Sequence, residues 1–164
     1  MKKINKMILL FLFLALPFSQ KIAAVSNAST EAVSEIIRKQ AECEFGYVDN
    51  TEYFMQHDFH NLTFVDDSCI VTCADSSNFN EFGVFHVSDS QDAKRCEKIL
   101  KKYIESAKHR FQSGVIYDVA EYPKFENAKT YVFGNYVLYM ILPASQNESA
   151  ARAVEAHLKK EGTA

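Results

Sequence analysis

The stretch that decides the fold is NAKTYVFGNYVLYMIL, residues 127–142. Two runs rich in β-branched and aromatic residues flank the dipeptide Gly134-Asn135. A glycine at the first position of a two-residue loop favours a type II′ hairpin turn, because glycine adopts a positive φ without a clash at Cβ. The sequence therefore predicts a β-hairpin in which Phe133 faces Tyr136.

That turn sets the register of the whole hairpin, and the register divides the side chains between two sides. The pairs predicted on one side are Phe133–Tyr136, Tyr131–Leu138 and Lys129–Met140. The pairs predicted on the other side are Val132–Val137, Thr130–Tyr139 and Ala128–Ile141. Both sides of the second strand are apolar, so we expect that strand to be central in a sheet and covered on both faces.

The N-terminal 26 residues have the pattern of a secretory signal peptide. Three lysines precede residue 7, and Met7–Phe18 is an apolar run of twelve residues. This run is well short of the roughly 20 residues that span a bilayer, so we expect cleavage rather than a membrane anchor. The mature N-terminus is predicted between about Val25 and Ser29, which leaves no transmembrane helix in the mature chain. No cysteine lies near this site, so a lipoprotein is not expected.

Residues 27–164 are predicted to form a single domain. The whole chain is 48% hydrophobic and 24% charged, which is typical of a globular protein rather than a disordered one. Removing the four lysines of residues 1–26 from the total of 18 basic residues leaves 14, against 21 acidic residues, a net charge of −7. An acidic domain of this kind does not favour nucleic acid as a partner.

The periodicity of the remaining segments predicts the order α-(α)-β-β-α-β-β-α. We expect an α+β domain with a largely antiparallel, four-stranded sheet made of two hairpins, with helices packed on it. Ser88 and Gln91 suit a capping box at the start of the longest helix. The segments predicted outside the 127–142 hairpin are helices over 27–46, about 51–56, 88–113 and 146–160, and strands over 69–74 and 81–87.

Three motifs in this order resemble a known family. They are EFGVFHV at 81–87, YPKFENA at 122–128 and GNYVLYMIL at 134–142, with a long charged helix after the first. Together they are similar to the bacterial exported family "domain of unknown function 4358", over roughly residues 32–158. The resemblance implies an extracytoplasmic protein of the bacterial cell envelope. It implies no activity, cofactor or catalytic residue, and this chain departs from the family in its extra cysteines and in lacking a lipoprotein cysteine.

The sequence offers one cluster with metal-ligand residue types, His57-Asp58-Phe59-His60. Two histidines three residues apart could share a helix face and bind a metal with a further Cys or Asp. No HExxH or CxxC motif accompanies them, so the simpler interpretation is a polar loop. We therefore predict a non-enzymatic domain without a cofactor. The alternative is an exported enzyme with a Cys/His or metal site near residues 57–60.

The four cysteines allow disulfides if the protein is exported. Cys69 and Cys73 would lie on the same face of one strand, about 13 Å apart at roughly 3.3 Å per residue, so they cannot bridge each other. Cys43 and Cys96 are placed on the apolar stripes of two helices. Any bridge is expected to join a helix cysteine to a strand cysteine, or the two helix cysteines.

Two surfaces could bind an envelope component, whether protein, peptide or glycan. Tyr131, Phe133 and Tyr136 share one side of the hairpin and would form an aromatic platform if that side is open, or part of the core if a helix covers it. The 88–113 helix also carries an excess of basic residues, which would either meet an anionic polymer or lipid headgroups or be a solvated face. These basic residues are Lys94, Arg95, Lys98, Lys101, Lys102, Lys108 and Arg110.

Overall fold

The computed structural model describes residues 27–115 and 119–162, so the predicted signal peptide lies outside the described residues. The helices in these ranges are α1 Thr30–Arg38, α2 Thr51–His57, α3 Ser90–Arg110, α4 Tyr122–Glu126 and α5 Ala144–Glu161. The strands are β1 Tyr47–Asp49, β2 Val65–Cys73, β3 Glu81–Val87, β4 Lys129–Phe133 and β5 Tyr136–Ile141. A π-helical turn, Phe111–Val115, follows α3, and a 3-10 turn, Val119–Glu121, precedes α4.

The sheet is antiparallel throughout, with the strand order β1-β2-β3-β5-β4. The α+β class is confirmed, but the prediction of four strands is wrong because β1 adds a fifth. Tyr47 of β1 pairs with Cys73 of β2, and Asp49 pairs with Val71. A strand of three residues is too short to show an alternating pattern, so its pairing with β2 could not be read from its own residues.

The register predicted for the β4–β5 hairpin is confirmed at all five pairs from Phe133–Tyr136 to Lys129–Met140. Gly134 has φ +60°, as the predicted turn requires. Ala128 lies just before β4, so the predicted sixth pair with Ile141 is not part of the ladder. β5 lies between β3 and β4, and all six of its residues are buried.

The sheet separates two apolar cores. On one face α1 and α5 pack against the sheet, with Val33 and Val154 among the buried residues. On the other face α2 and α3 do so, with Phe59 and Leu100 fully buried. Strand side chains alternate between the two faces of the sheet. Leu138 of β5 therefore lies in the core under α1 and α5, whereas Val137 and Tyr139 lie in the core under α2 and α3.

Helix boundaries differ from the predictions where tertiary contacts compete with helical hydrogen bonds. α1 ends at Arg38 rather than near residue 46, so Cys43 is not on a helix stripe. The segment after α1 is instead joined to β2 by the disulfide between Cys43 and Cys73. The side-chain amide of Asn80 also donates a hydrogen bond to the carbonyl of Glu42 in this segment.

The predicted capping box at Ser88 is also wrong. The cap of α3 is Asp89, whose carboxylate accepts hydrogen bonds from the N–H groups of Gln91 and Asp92. The Ser88 hydroxyl instead donates to Asp66. The aspartate is the stronger cap here because its charge also favours the positive end of the helix. α4 was not predicted at all.

Candidate functional site

The described part of the chain has a groove between α3 and β4, with a volume of about 440 Å³. Its walls are formed by Glu97, Lys101, Ile104 and Glu105 of α3 and by Ala128, Lys129 and Thr130. Lys101 Nζ lies 2.8 Å from Glu97 Oε1, and the Thr130 hydroxyl donates to the same oxygen at 3.2 Å. The hydrogen bond from Thr130 links the outer strand to α3, and Glu105 and Lys129 are exposed charges of opposite sign at the groove.

The groove runs beside the outer edge of β4. Because Phe133 and Tyr136 flank a two-residue turn, they form a hydrogen-bonded pair, and the pattern alternates along the strand. The main-chain N–H and C=O groups of Thr130 and Val132 therefore point away from β5. Among the described residues no other strand pairs with this edge, and no main-chain hydrogen bond from another element reaches it.

In the described part of the chain, the outer edge of β4 has little of the protection that is usual for an outer strand. Natural proteins shield such edges with charges, prolines, bulges or very short strands. β1, at the opposite edge, has three residues and ends in Asp49. β4 has five residues, with one charge at its first position, Lys129, and with Val132 42% exposed. A longer apolar edge with free main-chain groups is the better acceptor for another strand.

The predicted aromatic platform does not form as a set of three. Tyr136 is 2% exposed, and its hydroxyl donates to the carbonyl of Ala28, just before α1. Tyr131 and Phe133 are half-buried, with their rings stacked 6.2 Å apart at 11°. Tyr136 therefore belongs to the core, while the other two rings form a smaller surface next to the edge of β4.

The structure places the two histidines of the 57–60 segment in different local elements. His57 is the last residue of α2, and its ring stacks on Tyr53 with its Nδ1 2.8 Å from the Tyr53 carbonyl oxygen. His60 is exposed in the following turn, and Phe59 between them is fully buried. Within residues 27–115 and 119–162, no three His, Cys, Asp or Glu side chains are grouped as metal ligands.

The cysteines are divided between a disulfide and two buried thiols. Cys43 is bonded to Cys73, with their Cα atoms 5.8 Å apart, and Cys69 and Cys96 are free. The pKa of each thiol is raised to about 12, mainly by burial and, for Cys69, also by its hydrogen bond to Glu31. Because the thiolate is the nucleophilic form, neither thiol is activated at neutral pH.

A partly buried cluster of one carboxylate and two tyrosines was not predicted from the sequence. Glu81 Oε1 accepts hydrogen bonds from the Tyr103 hydroxyl at 2.6 Å and the Tyr139 hydroxyl at 2.8 Å. Burial raises the pKa of Glu81 to about 6, against the opposing effect of these two bonds. Burial also raises the pKa of both tyrosines well above 10, so they remain donors. The three residues come from β3, α3 and β5, and no local pattern links them.

Glu81 should make the stability of the protein depend on pH. Its pKa is higher in the folded state than its ordinary 4.5, so protonation favours the folded state. The free energy of unfolding contributed by this group therefore rises as pH falls from above 6 to below 4.5, by about 2 kcal/mol. The free energy of unfolding of Glu81→Gln should therefore exceed that of wild type at pH 7.5. This difference should largely disappear at pH 4.5. Urea unfolding at both pH values measures the difference, and a pH-independent difference would contradict the prediction.

These elements define an α+β domain with a five-stranded antiparallel sheet between two layers of helices. The chain belongs to the family described as "Domain of unknown function (DUF4358)", whose model matches residues 60–142. The matched segment contains β2 to β5, α3 and α4, and therefore the groove and Glu81. No curated protein and no solved structure matches the chain significantly. In the described part of the chain, no helix has the length and apolar character needed to cross a membrane.

Proposed function

We propose that the protein is an exported, non-enzymatic binding module of the bacterial cell envelope. Its ligand is an extended polypeptide segment that pairs with the outer edge of β4. The observation that carries this proposal is the unshielded edge of β4 lying directly beside the groove at α3. Addition of a strand to an exposed sheet edge is a common mode of peptide recognition.

An added strand would contact both the main-chain groups of β4 and the side-chain surfaces on either side of this edge. The outward main-chain groups of Thr130 and Val132 supply hydrogen bonds that are independent of the ligand's sequence. Side chains of the added strand alternate between the two faces of the sheet. One set enters the groove beside α3, and the other lies against the stacked rings of Tyr131 and Phe133. The groove and the rings thereby provide selectivity.

Two further observations support a binding role at the envelope. The free thiols are buried and not activated, which disfavours a cysteine nucleophile. The bond between Cys43 and Cys73 is of the kind that persists in oxidising, extracytoplasmic compartments. The signal-peptide pattern of residues 1–26 supports the same location.

Val132→Pro is the direct test of the binding surface. Proline removes an outward N–H of β4 without removing a hydrogen bond to β5, because an edge position tolerates proline on its solvent side. The probe is a phage-displayed random peptide library selected on immobilised residues 27–164. Peptides selected in this way should bind Val132→Pro roughly tenfold or more weakly, since the ladder loses hydrogen bonds and gains a clash.

Val132→Thr is the matched control, because threonine keeps the main-chain N–H and suits a strand. It should bind the selected peptides to within about threefold of wild type, as expected when only a peripheral contact changes. Equal binding by Val132→Pro and wild type would contradict the proposed surface. Failure of the library to yield any β4-dependent peptide would count against a peptide ligand.

A further inference from the structure

α3 concentrates positive charge in an otherwise acidic domain. Seven of the 14 basic residues in positions 27–164 lie within its 21 residues, against three acidic residues there, a net charge of +4. The other residues of 27–164 then carry seven basic and 18 acidic side chains, a net charge of −11. Such segregation gives this helix an electrostatic field opposite in sign to that of the rest of the domain.

The basic side chains form a row on the solvent-facing side of α3. Lys94, Lys98 and Lys102 follow one another at four-residue intervals, about 6 Å apart along the helix axis, and all three are exposed. Lys101 lies beside this row and is paired with Glu97. The acidic residues of α3 itself are Asp92, Glu97 and Glu105, and Lys129 of β4 adds a positive charge at the groove.

The row lacks the apolar side chains that insert into a membrane surface and the exposed aromatic rings on which a single-stranded nucleic acid stacks. The large apolar side chains exposed in the described structure are Phe45, Val48, Tyr53, Val119 and Val132, and none lies on α3. Helices that lie in a membrane interface insert apolar side chains. Single-stranded nucleic acids stack on exposed aromatic rings, whereas Tyr103 of α3 is buried. A linear polyanion that needs only regularly spaced positive charge fits this face best.

We propose that the exposed face of α3 binds a linear, phosphate-bearing polymer, and its assignment to the bacterial cell wall rests on the envelope location proposed above. The lysine row would contact successive phosphate groups along the polymer by charge, with affinity that falls as salt rises. This interaction is separate from peptide binding at β4, so the two surfaces can be tested independently. Together they would hold the module at the wall through α3 while the edge of β4 remains accessible.

The test uses long-chain inorganic polyphosphate as the probe, with affinity measured at several salt concentrations. Lys98→Gln/Lys102→Gln should weaken binding about tenfold at low salt. It should also lower the slope of log K against log salt by roughly 1.4–1.8, since each phosphate contact contributes about 0.7–0.9. Glutamine is a good helix former, so α3 is expected to persist, and circular dichroism checks this.

Lys159→Gln/Lys160→Gln on α5 is the matched control, because it removes the same charge from another helix. It should keep nearly the wild-type affinity and salt slope, and Val132→Pro should bind polyphosphate as wild type does. Equal losses in the two lysine pairs would show an effect of net charge only and would overturn the proposal. Absence of polyphosphate binding, or tighter binding to phosphatidylglycerol vesicles or single-stranded DNA, would also overturn it.

Discussion

Phe59→Ala should lower the free energy of unfolding by about 3–5 kcal/mol, the usual cost of truncating a buried aromatic residue. Phe59 is fully buried, and its ring packs against four others at centroid distances of 4.8–6.3 Å. Alanine leaves a cavity at the junction of α2, α3 and the sheet, because these elements cannot close over it without losing other contacts. Urea unfolding followed by circular dichroism measures the loss.

The two histidines beside Phe59 provide the controls. His57→Ala and His60→Ala should each change stability by no more than about 0.5 kcal/mol, as expected for exposed side chains. The double variant should also leave the metal content of the purified protein unchanged. Stoichiometric zinc that is lost in the double variant would instead support the alternative of a metal enzyme, and it would contradict the non-enzymatic proposal.

Removing the Cys43–Cys73 bond should lower stability by about 3–4 kcal/mol. The two residues are 30 positions apart, and a cross-link over a loop of this length restricts the unfolded chain by about that amount. Cys43→Ser/Cys73→Ser should therefore unfold at lower urea than wild type. Under a strong reductant the difference should largely disappear, because wild type then also lacks the bond.

Protein purified from the native host tests both the bond and the predicted signal peptide. Thiol titration of the denatured, unreduced protein should find two free thiols, from Cys69 and Cys96. Mass spectrometry should place its N-terminus between about Val25 and Ser29. Four free thiols would contradict the disulfide, and protein that keeps Met1 and stays in the cytoplasm would contradict export.

The parts of the fold that were predicted correctly depend on local chemistry. Gly134 favours the tight turn, and the turn alone sets which residues of β4 and β5 face each other. β3 was predicted with the observed bounds because polar residues on both sides delimit its apolar run. Helix α3 was predicted because its apolar stripe repeats over many turns, although its cap was placed one residue too early.

The candidate site was predicted only in part, because exposure depends on distant segments. Tyr131 and Phe133 lie beside the proposed binding edge, but Tyr136 is covered, and its hydroxyl is bound by a carbonyl 108 positions away. The groove at α3 requires β4 to be the outer strand, a consequence of β5 pairing with β3. Neither the covering of Tyr136 nor the outer position of β4 can be predicted from the residues of the hairpin itself.

The sequence by itself determined the register of the β4–β5 hairpin, the α+β class and the family, because these follow from turn chemistry, side-chain periodicity and short motifs. Only the tertiary structure decided that Cys43 pairs with Cys73, that Glu81 meets two tyrosines and that, among the described residues, no further strand pairs with the outer edge of β4. Periodicity specifies which side of a helix or strand a residue occupies. It does not specify which other element packs there, since that is set by contacts between residues far apart in the chain.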